Sequence, residues 1–349
     1  ENSPATKPAW CLEVIMESDK KKEAAPRMTA DARDLCAQFT TASYARMKAD
    51  TARVQAYERA IKIHAKGKVV LDIGVGGDAL LAIMCVRAGA KKVYGVEVNR
   101  KSAVAAEATV QKLGLKNKIE ILKGYSTDLK IPTCDLVVHE IIGNIASREG
   151  VALAIYDIYK RGIIPPNADT KDYNKRSIPQ KSSTFIAPAC MPGDEYWETH
   201  PRILAPPENW PMIKFEGFPW EDSVISKEFK LLEEIRFDAM PNLKPDPVSL
   251  NFNITKDSLL LGFIAYITVT THTGIMVSSK DANSSWANPL LLLPKPLEVK
   301  KGEIMTLEAK IEMDTVQPRY TFKLCSSAEV EGESKGASCF ELTFCIPRS

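Results

Sequence analysis

Two glutamates, Glu140 and Glu149, follow the apolar run 136–138, which has the composition of a buried strand. A glutamate pair at this spacing is by itself more often two solvated surface charges, so the surrounding sequence must decide whether it forms a site. Positions nine apart point to opposite faces of an α-helix, and the carboxylates converge only if a loop connects them. Gly143 and Asn144 supply turn chemistry. Two convergent carboxylates form a dianionic cup that fits a guanidinium with paired hydrogen bonds.

The segment upstream of this pair predicts a strand, a tight loop and a helix. Residues 69–77 form an apolar run that ends in glycines, and residues 78–88 have helical apolar spacing. Glycines at this junction let a ligand approach the backbone and place it at a helix N-terminus. The next strand ends at Glu97, about 20 residues later, where an acid can accept both ribose hydroxyls. Dinucleotide enzymes share these features, so the glycines do not identify which cofactor is bound.

The glycine spacing argues against a dinucleotide enzyme, and Asp72 resembles a residue of a different enzyme class. The loop 74–77 lacks the G-x-G-x-x-G spacing of dinucleotide-binding loops. Asp72 resembles the acid found there in methyltransferases that bind S-adenosylmethionine, although an Asx-turn residue is the plain alternative.

Together these motifs lead to a family. Segment 44–190 resembles the catalytic core of the protein arginine methyltransferases, with the glycine motif, the acid-ended second strand and the double-glutamate loop in the family's order. The resemblance implies an α/β, Rossmann-like S-adenosylmethionine-dependent methyltransferase domain, followed by a β-barrel or sandwich domain with an inserted dimerisation arm. It also implies methyl transfer from S-adenosyl-L-methionine to a guanidino nitrogen of arginine, with S-adenosyl-L-homocysteine as product.

The resemblance assigns roles to individual residues. Glu140 and Glu149 match the catalytic pair, and Arg53 matches the arginine that holds the methionine carboxylate of the cofactor. For Met47 and Trp286 a core position is the plain alternative, and for Thr127 a helix N-cap. The cofactor-binding positions are Tyr44, Met47, Arg53, Asp72, Gly74, Gly76, Glu97, Val98, Ser126, Thr127 and Glu140. The substrate-binding positions are Tyr44, Asp50, Glu140, Glu149, Ser285 and Trp286.

The chemistry expected of the glutamate pair follows from the basicity of arginine. Free arginine keeps its proton until a pH of about 13. Two carboxylates that grip two edges of a guanidinium draw positive charge toward the gripped nitrogens and leave the third nitrogen more nucleophilic. Alignment of that nitrogen with the methyl group can lower the barrier by about 7–11 kcal/mol. Because buried carboxylates are costly unless paired, the cationic substrate also stabilises the pair.

Composition sets the domain expectations. With 349 residues, 45% of them hydrophobic, the chain should form two domains, predicted at 1–188 and 189–349. Residues 196–222 contain several aromatic residues and prolines, which predicts the dimerisation arm, although a loop packed on its own domain is the alternative.

The same data predict partners and location. A net charge of +2 argues against direct nucleic-acid binding, and no apolar run reaches membrane-spanning length. The four histidines lack ligand spacing, so no metal site is expected. We expect a cytoplasmic and also nuclear homodimer that acts on arginine-containing proteins, such as Gly/Arg-rich segments or histone tails. The chain starts at Glu1, so a targeting segment could precede it.

The reaction product is predicted from one position. Ser285 stands where asymmetrically dimethylating members carry a His that pairs with the Asp matched by Asp50. Symmetrically dimethylating members resemble this chain at residues 285–286, yet carry a Phe at the position of Met47 and a further N-terminal domain. The type III group, which stops at monomethylarginine, is the predicted match. Symmetric dimethylation, a catalytically silent scaffold and a metabolite methyltransferase remain alternatives.

Overall fold

The computed structural model describes residues 41–169, 171, 173–193, 196, 212–215, 217–281, 283–327 and 344–345. Its first helices are α1 (Thr41–Ala49) and α2 (Thr51–His64). Asp50 separates them because its carboxylate accepts a hydrogen bond of 3.1 Å from the backbone N–H of Arg53, which caps α2. The cap fixes where the predicted site residues on the second helix begin.

A parallel sheet forms the core of the N-terminal half. Its spatial order is β3-β2-β1-β4-β5. These strands are β1 (Val69–Ile73), β2 (Lys92–Glu97), β3 (Ile119–Lys123), β4 (Leu136–His139) and β5 (Ser177–Ile178). The intervening helices are α3 (Leu80–Arg87), α4 (Arg100–Lys112) and α5 (Val151–Lys160), with a short 3-10 helix at Ser126–Asp128. The predicted Rossmann-like domain is confirmed.

The strand order creates a switch point between β1 and β4. From β1 the chain continues to β2 and β3 on one side, whereas β4 and β5 lie on the other. Ligands of open α/β sheets bind outside the carboxyl ends of the strands at such a point. The loops 74–79 and 140–150 both leave the sheet there.

Two antiparallel sheets form the C-terminal half. One has the order β7-β12-β10-β6-β8 with β11 beside β10, and the other has the order β15-β14-β13-β9. The first contains β6 (Lys181–Ala189), β7 (Met212–Phe215), β8 (Lys230–Arg236), β10 (Ser258–His272), β11 (Ile275–Ser278) and β12 (Asn288–Val299). The second contains β9 (Val248–Asn253), β13 (Ile304–Glu312), β14 (Arg319–Ser327) and β15 (Phe344–Cys345). The predicted barrel or sandwich region is confirmed.

The predicted boundary at 188/189 differs from the observed sheet membership. Strand β6 pairs with β10 from Lys181 to Ala189, so the boundary falls inside this strand. Sequence patterning indicated a strand here but could not show which sheet it joins.

The predicted arm is only partly described. Phe215 on β7 packs edge-on against Phe218, with ring centroids 5.0 Å apart, and both rings are buried. Phe218 lies 5.1 Å from Trp220, the first residue of α6 (Trp220–Ser223). These rings pack on their own barrel, whereas 197–211 lies outside the described residues.

One hydrophobic cluster joins the two halves. It contains Val137 and Ile155 of the methyltransferase domain together with Phe237, Phe252 and Tyr320 of the barrel. The loop 140–150 adds Ile142, Ile145 and Ala146 to the same cluster. The predicted loop between the glutamates is therefore packed at the junction of the two halves. None of the described helices has the length and apolar character required to cross a bilayer.

Candidate active site

A cavity opens at the switch point and collects most of the predicted site residues. Those that line it are Met47, Arg53, Gly74, Gly76, Glu97, Val98, Ser126, Glu140 and Glu149. The loops after β1, β2, β3 and β4 and the two N-terminal helices all contribute. Two of the three substrate-side carboxylates and the glycine loop thus share one cavity.

The glycine loop and the acid at the end of β2 form one wall. Gly74 and Gly76 have left-handed φ values of 77° and 64°, which disfavour other residues. A side chain at Gly74 would place its Cβ 2.7 Å from Cγ2 of Ile141. Glu97 accepts hydrogen bonds from the backbone N–H groups of Gly76 (2.9 Å) and Asn99 (2.8 Å). Each carboxylate oxygen retains acceptor capacity for a hydroxyl of a ligand.

Arg53 also lines the cavity. Its Nη2 forms an ion pair with Glu140, and both side chains are nearly buried. Its Nη1 donates a 2.8 Å hydrogen bond to Oγ of Ser285. The guanidinium carbon also lies 3.9 Å from the ring centroid of Trp286, a cation–π distance. A single side chain thus links α2, the glutamate loop and the barrel.

The two glutamates differ in their electrostatics. Burial raises the pKa of Glu140, but the adjacent Arg53 opposes this rise. Burial and the charge of Glu140 raise the pKa of Glu149 to about 8, with Arg53 opposing. At neutral pH Glu149 therefore holds a proton, since two neighbouring carboxylates cannot both ionise cheaply. A cation bound between them would favour ionisation of the pair.

The glutamate loop is held from the barrel at both ends. The indole N–H of Trp286 donates a 3.0 Å hydrogen bond to the carbonyl of Ile142. Further along, the buried carboxylate of Glu233 on β8 accepts from the backbone N–H (3.1 Å) and hydroxyl (2.8 Å) of Ser147 and from the hydroxyl of Thr184 (2.9 Å). These contacts fix the position of the loop and thereby of both carboxylates.

Five predicted contact residues do not line the cavity. They are Asp50, Asp72, Thr127, Ser285 and Trp286. Asp50 lies behind Arg53, because its Oδ2 accepts from the backbone N–H (2.9 Å) and hydroxyl (3.1 Å) of Ser285. Asp50, Ser285 and Trp286 therefore contact Arg53, and their direct contact with substrate stays a prediction.

The other two residues belong to the predicted cofactor side, and their contact with the cofactor stays a prediction. Asp72 on β1 is fully buried, and burial raises its pKa to about 7. Thr127 lies in the 3-10 helix, where its hydroxyl donates a 3.2 Å hydrogen bond to Asp128. Tyr44 lies in α1, and the position of its side chain is outside the described residues.

Several lining residues were missed by sequence reasoning. Tyr57 lies one helical turn after Arg53 and is buried, and its hydroxyl has no hydrogen-bond partner in the described part of the chain. Helical spacing could have placed it on the same face. Lys48 and Asp78 form an exposed 3.2 Å ion pair at the cavity. Val316 reaches the cavity from the turn after β13, and no local signal indicates this.

Comparisons with known proteins agree with this arrangement. The family model for ribosomal protein L11 methyltransferase (PrmA) matches residues 51–155. Protein arginine N-methyltransferase PRMT10 of Arabidopsis thaliana is 35% identical over 123 residues, covering 34% of this chain and 32% of the relative. The match thus spans about a third of that relative's length. Protein arginine N-methyltransferase 6 of Xenopus laevis is 26% identical over 306 residues, covering 78% and 84%.

Solved structures extend the likeness over most of the chain. The structure of Arabidopsis thaliana protein arginine methyltransferase 10 has a TM-score of 0.69 at 17% identity, covering 90% of this chain and 100% of that chain. In sequence and in fold the chain is thus similar to named protein arginine methyltransferases. The Trypanosoma brucei PRMT1 enzyme-prozyme heterotetrameric complex with AdoHcy has a TM-score of 0.65 at 16% identity, covering 87% and 98%. At these identities, the structural likeness to the family concerns the fold.

The cavity fits the cofactor of this family, S-adenosylmethionine. Gly74 and Gly76 line the cavity at the end of β1, and the Glu97 carboxylate is fixed at the end of β2. Ser126 and Val98 complete this side of the cavity. This donor set suits a ribose with two hydroxyls.

The contact between Trp286 and the glutamate loop can be tested by Trp286→Phe. The variant keeps an aromatic ring but leaves the Ile142 carbonyl without its donor, which should lower the free energy of unfolding by about 1–2 kcal/mol. Amide hydrogen exchange in residues 142–149 should accelerate. Trp220→Phe is the control, since the Trp220 indole N–H has no acceptor in the described part of the chain. Equal effects of the two changes would contradict the assigned support.

The raised pKa of Glu149 predicts a pH-dependent stability. An unfolded glutamate titrates at about 4.3, whereas the folded pKa is about 8. The folded state therefore holds a proton that the unfolded chain has released between these values, and stability is lost as pH rises toward 8. Glu149→Gln cannot ionise, so its unfolding free energy should rise relative to wild type from pH 5 to 8 and level off above. Urea unfolding across this range, with the exposed Glu234→Gln as control, checks this. Parallel wild-type and Glu149→Gln curves would refute the shift.

Proposed function

We propose that this protein is an S-adenosylmethionine-dependent protein arginine N-methyltransferase. The observation that carries the proposal is the convergence of Glu140 and Glu149 on the cavity that also contains the glycine loop and Glu97. Burial makes this pair costly to ionise, and a guanidinium is the cation whose planar edges match two carboxylates.

The cofactor side of the cavity would be held by residues already fixed in place. Glu97 would accept the ribose hydroxyls, and the loop 74–77 would admit the cofactor to the backbone. The guanidinium of Arg53 would hold the carboxylate of the methionine part while keeping its contact with Glu140. S-adenosylmethionine supplies the methyl group as an electrophilic carbon attached to a sulfonium.

The substrate side would localise charge and move one proton. Ionised Glu140 and Glu149 would accept N–H bonds from two edges of the guanidinium, which leaves the third nitrogen free to attack. Transfer of the methyl group makes that nitrogen more acidic, and its proton must leave. The Glu149 carboxylate, ionised beside the bound guanidinium, would be the group that accepts it.

The proposed product is monomethylarginine. Support comes from the Ser at position 285, where a dimethylating relative of the asymmetric type would carry His. Both carboxylate oxygens of Asp50 are engaged inside the protein, one by the Arg53 backbone and one by Ser285. This arrangement lacks the His–Asp pair of the asymmetric type.

Mass spectrometry tests this function. An arginine peptide incubated for long times with the protein and S-adenosylmethionine should gain one methyl group per arginine. Glu140→Gln and Glu149→Gln should each lower the rate about 10²–10³-fold, since each removes charge stabilisation at the reacting group. The exposed Glu234→Gln should retain activity.

The alternative products give distinct results. Detection of dimethylarginine would support the arginine methyltransferase function and contradict the proposed monomethylated, type III product. Bound cofactor with no product on any arginine peptide would instead indicate a catalytically silent scaffold, and methylation of free arginine alone would indicate a metabolite enzyme.

We also propose a homodimer that works in the cytoplasm and nucleus on arginine-containing proteins, including histone tails. The aromatic and proline-rich stretch 196–222 supports the dimer, and so does the named heterotetrameric assembly of the Trypanosoma brucei relative. Sedimentation at micromolar concentration should give twice the chain mass of 38.6 kDa. Replacing Trp197 and Trp210 together with Ala should shift it to a monomer, whereas Trp220→Ala should not; a wild-type monomer would contradict the dimer.

A further inference from the structure

Two cations beside Glu149 have no part in the mechanism above. Arg148 precedes Glu149 in the loop, and its Nη1 lies 3.5 Å from Sδ of Met212 on β7. Side chains two positions apart on a strand share one face, so Lys214 projects on the same side of β7 as Met212. Ile213 and Phe215 occupy the opposite face, where they join a separate hydrophobic cluster. The strand geometry thus places Lys214 on the face of β7 that Arg148 contacts.

These cations lie close enough to change the pKa values of each other and of Glu149. Desolvation and the charge of Arg148 lower the pKa of Lys214, and Glu149 opposes the change. Both cations in turn act to lower the pKa of Glu149. Within the described residues, no carboxylate oxygen lies within 4.0 Å of the side-chain nitrogens of Arg148 or Lys214. The pair is therefore two neighbouring like charges without a close counterion there.

The charges beside Glu149 show what this part of the site lacks. Glu140 is paired with Arg53, whereas Glu149, when ionised, supplies one negative charge against the two positive charges of Arg148 and Lys214. A substrate guanidinium adds a third cation beside Glu149, where like charges in a half-buried place repel more strongly than in water. A further anion next to the guanidinium would offset this excess. Lys214 is exposed, so such an anion can reach it from solvent.

We propose that Arg148 and Lys214 form a subsite for the carboxylate of an acidic residue that flanks the target arginine. This inference rests on the proposed function and names its substrate class. It favours acid-flanked arginines over Gly/Arg-rich segments, because additional arginines would bring more positive charge to the same rim. Arginine suits the role through its paired donors, and the exposed lysine through its reach.

Three peptides that differ only beside one arginine test the subsite. Their flanking residues are glutamate, its neutral isostere glutamine, or lysine. Methylation should give kcat/KM about five- to tenfold higher for the glutamate peptide than for the glutamine peptide, the size expected of one or two partly exposed ion pairs. Fluorescence anisotropy with S-adenosylhomocysteine present should give the same order of Kd values. The preference should fall as salt rises, since screening weakens exposed pairs.

Charge reversal at the subsite provides the matched comparison. Lys214→Glu should reverse the order, so that the lysine peptide is preferred over the glutamate peptide. Lys214→Met should remove the preference. Lys112→Glu, on the exposed side of α4, is the control that should leave the wild-type order intact.

The outcomes separate the subsite from the enzyme function. Equal binding of the glutamate and glutamine peptides to the wild type would overturn the subsite, whether or not methyl transfer is observed. An unchanged order in Lys214→Glu would overturn it as well. A binding preference that reverses in Lys214→Glu without any methyl transfer would instead support the subsite and contradict the proposed function.

Discussion

The contact between Arg53 and Glu140 is the interaction on which the site depends. It joins α2 to the glutamate loop, and the same guanidinium reaches Ser285 and Trp286 of the barrel. Because both groups are nearly buried, loss of either would leave an uncompensated charge in a poorly solvated place. Three segments that are distant in sequence are thus fixed around one ion pair. Glu140 thus has its counterion, and Glu149 can take a bound cationic substrate as its partner.

This asymmetry gives the two carboxylates different tasks. Glu140 is ion-paired with a permanent partner, whereas Glu149 is buried beside a like charge and holds a proton until a cation enters. The free-energy cost of burying Glu149 is offset by the packing of its loop. Trp286 and Glu233 of the barrel hold this loop through hydrogen bonds. A site arranged in advance for a cation need not reorganise when the cation arrives, and this favours reaction.

Local chemistry in the sequence predicted the parts of the site that lie close together in the chain. Helical phase and the turn residues after Glu140 predicted a loop, and the apolar run with its glycines predicted β1 and the loop that follows. The supporting contacts could not be predicted in this way. Asp50 and Ser285 meet across 235 positions, and Glu233 meets Ser147 across 86, through a register that only the assembled sheets define. The burial of Asp72 and Trp286 likewise depends on tertiary packing.

The proton on Glu149 offers the most direct measurement. Titration calorimetry of an arginine peptide into the protein with S-adenosylhomocysteine, at pH 7 in buffers of different ionisation enthalpy, reports protons released on binding. Because the pKa of guest-free Glu149 is about 8 and a bound guanidinium lowers it, binding should release close to one proton, and Glu149→Gln should abolish the release. Tight binding without proton release from the wild type would contradict the assignment of Glu149 as the protonated member of the glutamate pair.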